Sequence, residues 1–225
     1  MKVSEALASR FSCRAYLDLP VPLATIRSIL QQAQRAPSGG NLQPWQVQVL
    51  TGKPLRALVS EVQDALADHP TGDKPAYQIY PEPLKEPYRA RRFQNGADLY
   101  SALGIEREDR PARIRQFQKN FAFFGAPAAI MLLVDKSMGA PQWADLGAFM
   151  QSILLLAREY GLHSCAQEAW AFFEDIVRRH LALAEEQMVF CGIALGYGDL
   201  AAPVNRWRTD RAALDEIATF RGFEA

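Results

Sequence analysis

APSGGNLQPWQVQVL, residues Ala36 to Leu50, marks the point where a helical pattern gives way to a strand. Upstream, Leu23, Ile26, Ile29, Leu30 and Ala33 recur at three- and four-residue spacing. This predicts a helix over Pro22–Gln34 with one apolar face, ended by Pro37. Downstream, Trp45 to Leu50 places polar residues at alternate positions between β-formers and predicts a strand. Between them, Gly39 and Gly40 free the backbone for close approach to a partner. Ser38, Asn41 and Gln43 add groups that pair with the edges of a flat heterocycle. The same residues also make an ordinary helix-to-strand turn, and the loop alone supports both readings.

Outward from this stretch, Val3–Arg10 reads as a short helix with Ser4 as N-cap. Lys53–Ala67 returns to helical spacing. Residues 68 to 87 contain Pro70, Pro75, Pro81, Pro83 and Pro87, an irregular excursion that reads as a mobile flap or a substrate-side loop. Residues 88 to 124 are charged and helical, with interruptions expected near Gly104 and Pro111. Ala128–Val134 and Met188–Leu195 are continuous apolar runs and predict buried strands, the second followed by a GYGD turn. Trp143–Tyr160 is the longest helical pattern and is apolar on more than one face, which suits a core or a subunit interface. Trp170–Leu183 reads as a further helix. Few strands between long helical segments give a mixed α and β chain. With no repeat or linker, residues 1–225 are expected to form a single domain with a lid-like excursion at about 68–119.

Composition excludes several classes. Lys plus Arg equals Asp plus Glu at 25 each, so bulk charge draws the chain to neither nucleic acid nor anionic lipid. Cys13, Cys165 and Cys191 are far apart and show no ligand spacing with His69, His163 or His180. This argues against a metal site and for reduced thiols in the cytoplasm. No signal peptide and no membrane span is expected.

Four patches can carry chemistry. Arg10, Ser12 and Arg14 alternate, so in an extended segment they face one side, and two guanidiniums with a hydroxyl suit phosphate and carbonyl oxygens. Taken alone, they also fit a solvated helix end. NRWRTDR, Asn205 to Arg211, holds Arg206, Arg208 and Arg211, of which one or two can bind an anion; taken alone, the stretch reads better as a solvated basic tail. SCAQEAW, Ser164 to Trp170, joins a short strand to a helix and offers free backbone N–H groups. GYGDLA matches GxGxxA, yet the short segment after Gly198 leaves no room for a crossover helix and a parallel strand, so the dinucleotide reading fails. No GxSxG, HExxH or GxxxxGK[ST] motif is present. Neither SRFSCRAY, Ser9 to Tyr16, nor Ala36–Leu50 supplies a nucleophile, a metal ligand or a proton-transfer pair, and Glu168 as a general acid or base has no identifiable partner; their donors suit a polar, phosphorylated cofactor that brings its own chemistry.

Taken together and in order, Arg10-x-Ser12-x-Arg14, APSGGNLQPW, WADLGAFMQSILLLAREYGLHSCAQEAW and GIALGYGD with PVNRWRTDR resemble the FMN-dependent nitroreductase family, within it the branch of the nitrobenzoate reductases. The resemblance implies an α+β fold, with a central, mostly antiparallel sheet flanked by helices, in an intertwined homodimer with two interface FMN sites. It implies that Arg10, Phe11 (through its backbone), Ser12 and Arg14 hold the FMN phosphate, ribityl chain and pyrimidine edge. Pro37, Ser38, Gly39, Asn41 and Gln43 would line the ring from the other subunit, and Gln167 and Glu168 would set a backbone N–H near flavin N5. Arg208, with Arg206 or Arg211, would complete the phosphate site. No catalytic side chain and no metal is implied, because the chemistry lies at flavin N5. The activity implied is ping-pong transfer from NADH or NADPH to a small aromatic acceptor, nitroaromatic or quinone. Two other readings stand beside it: a narrower reaction such as dehalogenation or dehydrogenation on the same flavin scaffold, and a flavin-free dimeric binding protein.

Overall fold

The computed structural model describes residues 1–223. In chain order the elements are α1 (Val3–Ser9), α2 (Leu23–Ala33), β1 (Gln46–Thr51), α3 (Gly52–Ala65), α4 (Tyr88–Ala102) and α5 (Arg110–Gln118). There follow β2 (Ala128–Asp135), α6 (Ala140–Glu159), β3 (His163–Gln167), α7 (Glu174–His180), β4 (Gln187–Gly196) and α8 (Leu214–Ile217). Short 3-10 turns occupy Gly39–Asn41, Lys119–Gly125, Glu168–Phe173 and Pro203–Asn205.

The four strands pair antiparallel in the order β1-β2-β4-β3. Side chains of β2 alternate between faces, and both faces are covered. Ala129, Met131 and Leu133 pack with Leu55, Leu58 and Val62 of α3 and with Phe121, Phe123 and Trp170 from two of the turns. Ile130, Leu132 and Val134 pack with Ile26, Ile29 and Ala33 of α2 and Leu146, Phe149 and Ile153 of α6. This explains the uninterrupted apolar run in an antiparallel sheet, where one wet face is the commoner pattern. Truncating Ile130, which is fully buried, to Ala removes about 2–5 kcal/mol of stability.

Several sequence expectations shift. Ser4 lies inside α1 and Lys2 takes the N-cap position, because the Glu5 carboxylate reaches back to accept from the Lys2 N–H. Helix α2 ends at Ala33, before Pro37 can act. The segment 170–183 splits into the turn Glu168–Phe173 and α7 at Glu174, since Trp170, Ala171 and Phe173 must all reach the core. The GYGD segment is more than a turn. Leu17 N–H donates to the Tyr197 carbonyl and Asp199 N–H to the Ala15 carbonyl, so it pairs with the N-terminal strand-like segment. Gly198 permits this approach: a Cβ there would meet Cys13 Sγ at 2.9 Å and the His163 ring at 3.0 Å.

The excursion is built, not merely irregular. Asp73 and Ala76 N–H groups donate to the Phe172 and Ala171 carbonyls, pinning its first part to the core. Its second part is a helical hairpin. α4 stops where Gly104 takes a φ of +63° and the Gly104 and Ile105 N–H groups bond back to Ser101 and Tyr100. Asp109 then caps α5 by accepting from Ala112 N–H, so Pro111 opens the second helix and does not interrupt one.

Candidate functional site

The Arg10–Arg14 segment runs beside β3. Ser12 bridges Ser164 in parallel, and Cys13 N–H donates to the Ser164 carbonyl at 3.0 Å. The buried Asn205 clamps this segment to the C-terminal one. Its Oδ1 accepts the Arg14 N–H at 2.8 Å, while Nδ2 donates to the Ala15 and Asp199 carbonyls. Folding thereby brings Arg10, Phe11, Ser12 and Arg14 together with Arg208 and Arg211 around one cavity of about 470 Å³. Arg206 is exposed and does not line it.

The electrostatics of this cavity are one-sided. Among the described residues none of the four guanidiniums is paired with a carboxylate. Those of Arg14, Arg208 and Arg211 bond to backbone carbonyls or to the Thr209 hydroxyl, and Arg208 also lies 3.9 Å over the Phe11 ring. Arg10 Nε is buried with no partner. Burial, then the nearby Arg211, pushes the Arg10 pKa down. Arg10 and Arg14 are half-buried and Arg208 and Arg211 exposed; like charges gathered around one buried unsatisfied donor cost free energy that an anion would relieve, so the donor set fits a phosphate. His163 stands behind the cluster, its ring 5.2 Å from Phe11. Burial, then Arg158 and Arg208, lowers its pKa to about 4, and its Nδ1 accepts the Gly198 N–H.

Beyond Ser164, β3 carries the chain about 10 Å to Gln167. The buried Gln167 turns its side chain inward, Nε2 donating to the Asn120 carbonyl at 2.7 Å and Oε1 left without a partner. Glu168 opens the following turn, where the first backbone N–H groups have no partner within the turn. Its side chain is solvent-accessible, yet partial desolvation raises the carboxyl pKa.

The loop Pro37–Gln43 lies elsewhere. None of its residues lines the arginine cavity, and Pro37, Gly39, Gly40, Asn41, Leu42 and Gln43 are exposed. Gly40, Asn41 and Gln43 adopt φ of 57°, 56° and 50°, left-handed geometry that costs the two non-glycine residues on the order of 1–3 kcal/mol each. Two contacts hold the shape: Ser38 Oγ accepts the Gln43 N–H, and Asp145 of α6 accepts the Gly39 N–H at 3.2 Å. Left-handed geometry at two non-glycine residues, held in an exposed loop, is more than a plain helix-to-strand turn requires.

Sequence reasoning missed Asn205, Asp145 and also Asn95, which reaches the arginine cavity from α4. Asn205 and Asp145 act through contacts distant in sequence, Asn95 only joins the cavity wall, and only the position of Asn205 beside the arginines hinted at it. The three cysteines are buried and free, and burial raises all three thiol pKa values, that of Cys13 to about 11. They are not nucleophiles at neutral pH. No helix among the described residues is long and apolar enough to cross a membrane.

The sequence pattern that defines the nitroreductase family matches residues 7–197. The 4-nitrobenzoate reductase of Nocardioides sp. (strain LMS-CY) is 39% identical over 215 residues, covering 94% of this chain and 86% of that one. The FMN and NADPH-dependent nitroreductase NfnB from Sphigopyxis sp. strain HMH superposes with a TM-score of 0.96 at 48% identity, covering 99% of this chain and all of the other. The FMN-dependent nitroreductase NfnB from Mycobacterium smegmatis, solved in complex with NADPH, gives 0.91 at 31% identity over 98% of both chains.

Proposed function

The chain belongs to the nitroreductase family, in the branch of the nitrobenzoate reductases, and on that premise we propose how its residues serve an FMN-dependent NAD(P)H oxidoreductase acting on nitroaromatic or quinone-type acceptors. The observation that carries the site assignment is the arginine cavity, four guanidiniums without a carboxylate and one buried unsatisfied donor. When bound, FMN supplies the redox chemistry, accepting hydride from NADH or NADPH and passing two electrons to the acceptor.

The protein's own residues bind, orient and polarise. Arg10, Arg14, Arg208 and Arg211 neutralise the phosphate, and Ser12 and the Phe11 backbone add donors along the cofactor. The Glu168 N–H, set by the inward anchoring of Gln167, donates where negative charge develops on the ring. Pro37, Ser38, Gly39, Asn41 and Gln43 line the ring of the partner protomer's cofactor, which accounts for a strained loop left open on its own protomer. The functional unit is then a homodimer with two shared sites. Residues 1–225 act as one FMN-binding domain with 68–119 as its lid, and the cytoplasm suits three reduced thiols.

The purified protein is expected to carry flavin absorbance and to oxidise NADH or NADPH only when a nitroaromatic or quinone is added. A colourless protein that cannot be reconstituted with FMN and oxidises neither nicotinamide would overturn this reading.

A further inference from the structure

A cavity of about 840 Å³ lies outside the arginine cluster described above, in the α4–α5 hairpin of the excursion. Its wall combines four guanidiniums, from Arg89, Arg92, Arg107 and Arg113, with the rings of Phe93 and Tyr100. Arg89 is engaged by Glu86 at 2.6 Å. The other three have no carboxylate within ion-pair distance among the described residues, and Glu106 is the single acid on the wall. In a chain whose formal charge is zero, this is a concentrated positive surface.

The manner in which these guanidiniums are held is informative. Arg113 lies 4.0 Å over the Tyr100 ring, Arg92 4.0 Å over Tyr80 and Arg107 5.4 Å from the Phe93 centroid. A guanidinium stacked on a ring has one face occupied and its in-plane N–H edge free, the edge that grips a carboxylate. The side chains of Arg92 and Arg107 donate no hydrogen bond to the described protein, and Arg113 makes one long contact, 3.5 Å, to the Arg107 carbonyl. The hairpin itself is fixed by the Gly104 turn and the Asp109 cap, so the cavity does not depend on a ligand to form.

We propose that the α4–α5 hairpin carries a binding site for an aromatic carboxylate, the carboxylate gripped by the free edges of Arg92, Arg107 and Arg113 and the ring packed among Phe93, Tyr100 and neighbouring apolar groups. The site stands independently of the flavin assignment, because its walls share no residue with the arginine cavity.

The test uses the holoenzyme and salicylate, followed by its own fluorescence, with phenol as the comparator lacking the carboxylate. Wild type binds salicylate saturably and prefers it to phenol. Arg92→Gln/Arg113→Gln weakens salicylate at least tenfold and leaves phenol within twofold, at unchanged flavin content. Should the double variant fail to fold, Arg107→Gln alone gives at least a threefold loss. Arg115→Gln, on α5 but off the cavity wall, leaves salicylate affinity unchanged. Absence of saturable binding, equal affinity in the double variant, a parallel loss for phenol, or an equal loss in Arg115→Gln would each overturn the assignment. Competition by salicylate against 4-nitrobenzoate as acceptor, weakened in Arg92→Gln/Arg113→Gln, identifies the ligand as the acceptor's own carboxylate; inhibition without competition identifies a separate effector. Loss of flavin in any of these proteins speaks against the flavin reading alone, since the ligand signal does not require turnover.

Discussion

The two regions that the proposed function assigns to the flavin are built in opposite ways. The phosphate half is complete within one chain. Arg10 to Arg14 lies along β3, Asn205 ties it to the C-terminal arginines, and six site residues face one cavity. The ring half is left open: the Pro37–Gln43 loop is exposed, strained and remote from that cavity, tethered to α6 through Asp145. The first gathers four guanidiniums around a buried unpaired donor, whereas the second is ordered but exposed. In the proposed reading, this division places affinity in one region and reactivity in the other, and a second protomer would join them.

The largest effect is expected on the phosphate half. Arg10→Ala/Arg14→Ala removes two charge-assisted contacts, each worth about 1.5–3 kcal/mol, and is expected to weaken FMN more than a hundredfold by equilibrium dialysis. Retention of flavin would break the comparison by moving the phosphate elsewhere. Asn205→Ala strands the Arg14 N–H and two carbonyls. It should cost about 1–3 kcal/mol of stability per group left unpaired in thermal unfolding and lower FMN affinity about tenfold.

Smaller, and different in kind, is the response of the ring half. Asp145→Ala frees the Gly39 N–H and should lower turnover several-fold while FMN affinity changes little. Asp145→Asn, which keeps an acceptor, should restore most of it. An equal loss of affinity and turnover would erase the distinction between the halves.

An effect on stability alone, outside either half, concerns His163, whose buried ring accepts from Gly198 and is therefore neutral. Its folded pKa of about 4 lies below the ordinary 6.5, so between those values the unfolded chain binds more protons. Its contribution is present above pH 6.5 and is lost as pH falls toward 4, up to about 3 kcal/mol. Thermal unfolding across that window should decline more steeply in wild type than in His163→Gln, and parallel curves would exclude this titration.

Much of this was legible in the sequence where local pattern decides. The apolar run Ala128–Val134, the amphipathic spacing of Leu23 to Ala33 and the alternation from Arg10 to Arg14 each depend on residues a few positions apart. Features carried by distant pairings were not legible. Asn205 bonds to Arg14, 191 residues away in sequence, and no local signal distinguishes Arg208 and Arg211 from Arg206 until the C-terminal segment folds against Phe11. Ser4 failed as a cap because Glu5 competed for the role. The excursion, read as irregular with a charged helical continuation, owes its cavity to arginine–ring contacts between helices, which spacing along one helix does not reveal.

The shared site is tested most directly by a tandem-tagged heterodimer, co-expressed from one chain carrying Arg10→Ala/Arg14→Ala and one carrying a disrupted loop, Ser38→Ala/Gly40→Val. If each flavin is held by the arginines of one protomer and the loop of the other, one site of the two is intact. The purified heterodimer then binds about half the wild-type flavin and turns over accordingly, while both parental homodimers are inactive. If both halves act within one chain, every site in the heterodimer is broken, and a heterodimer as inactive as its parents would contradict the account whatever flavin it retains.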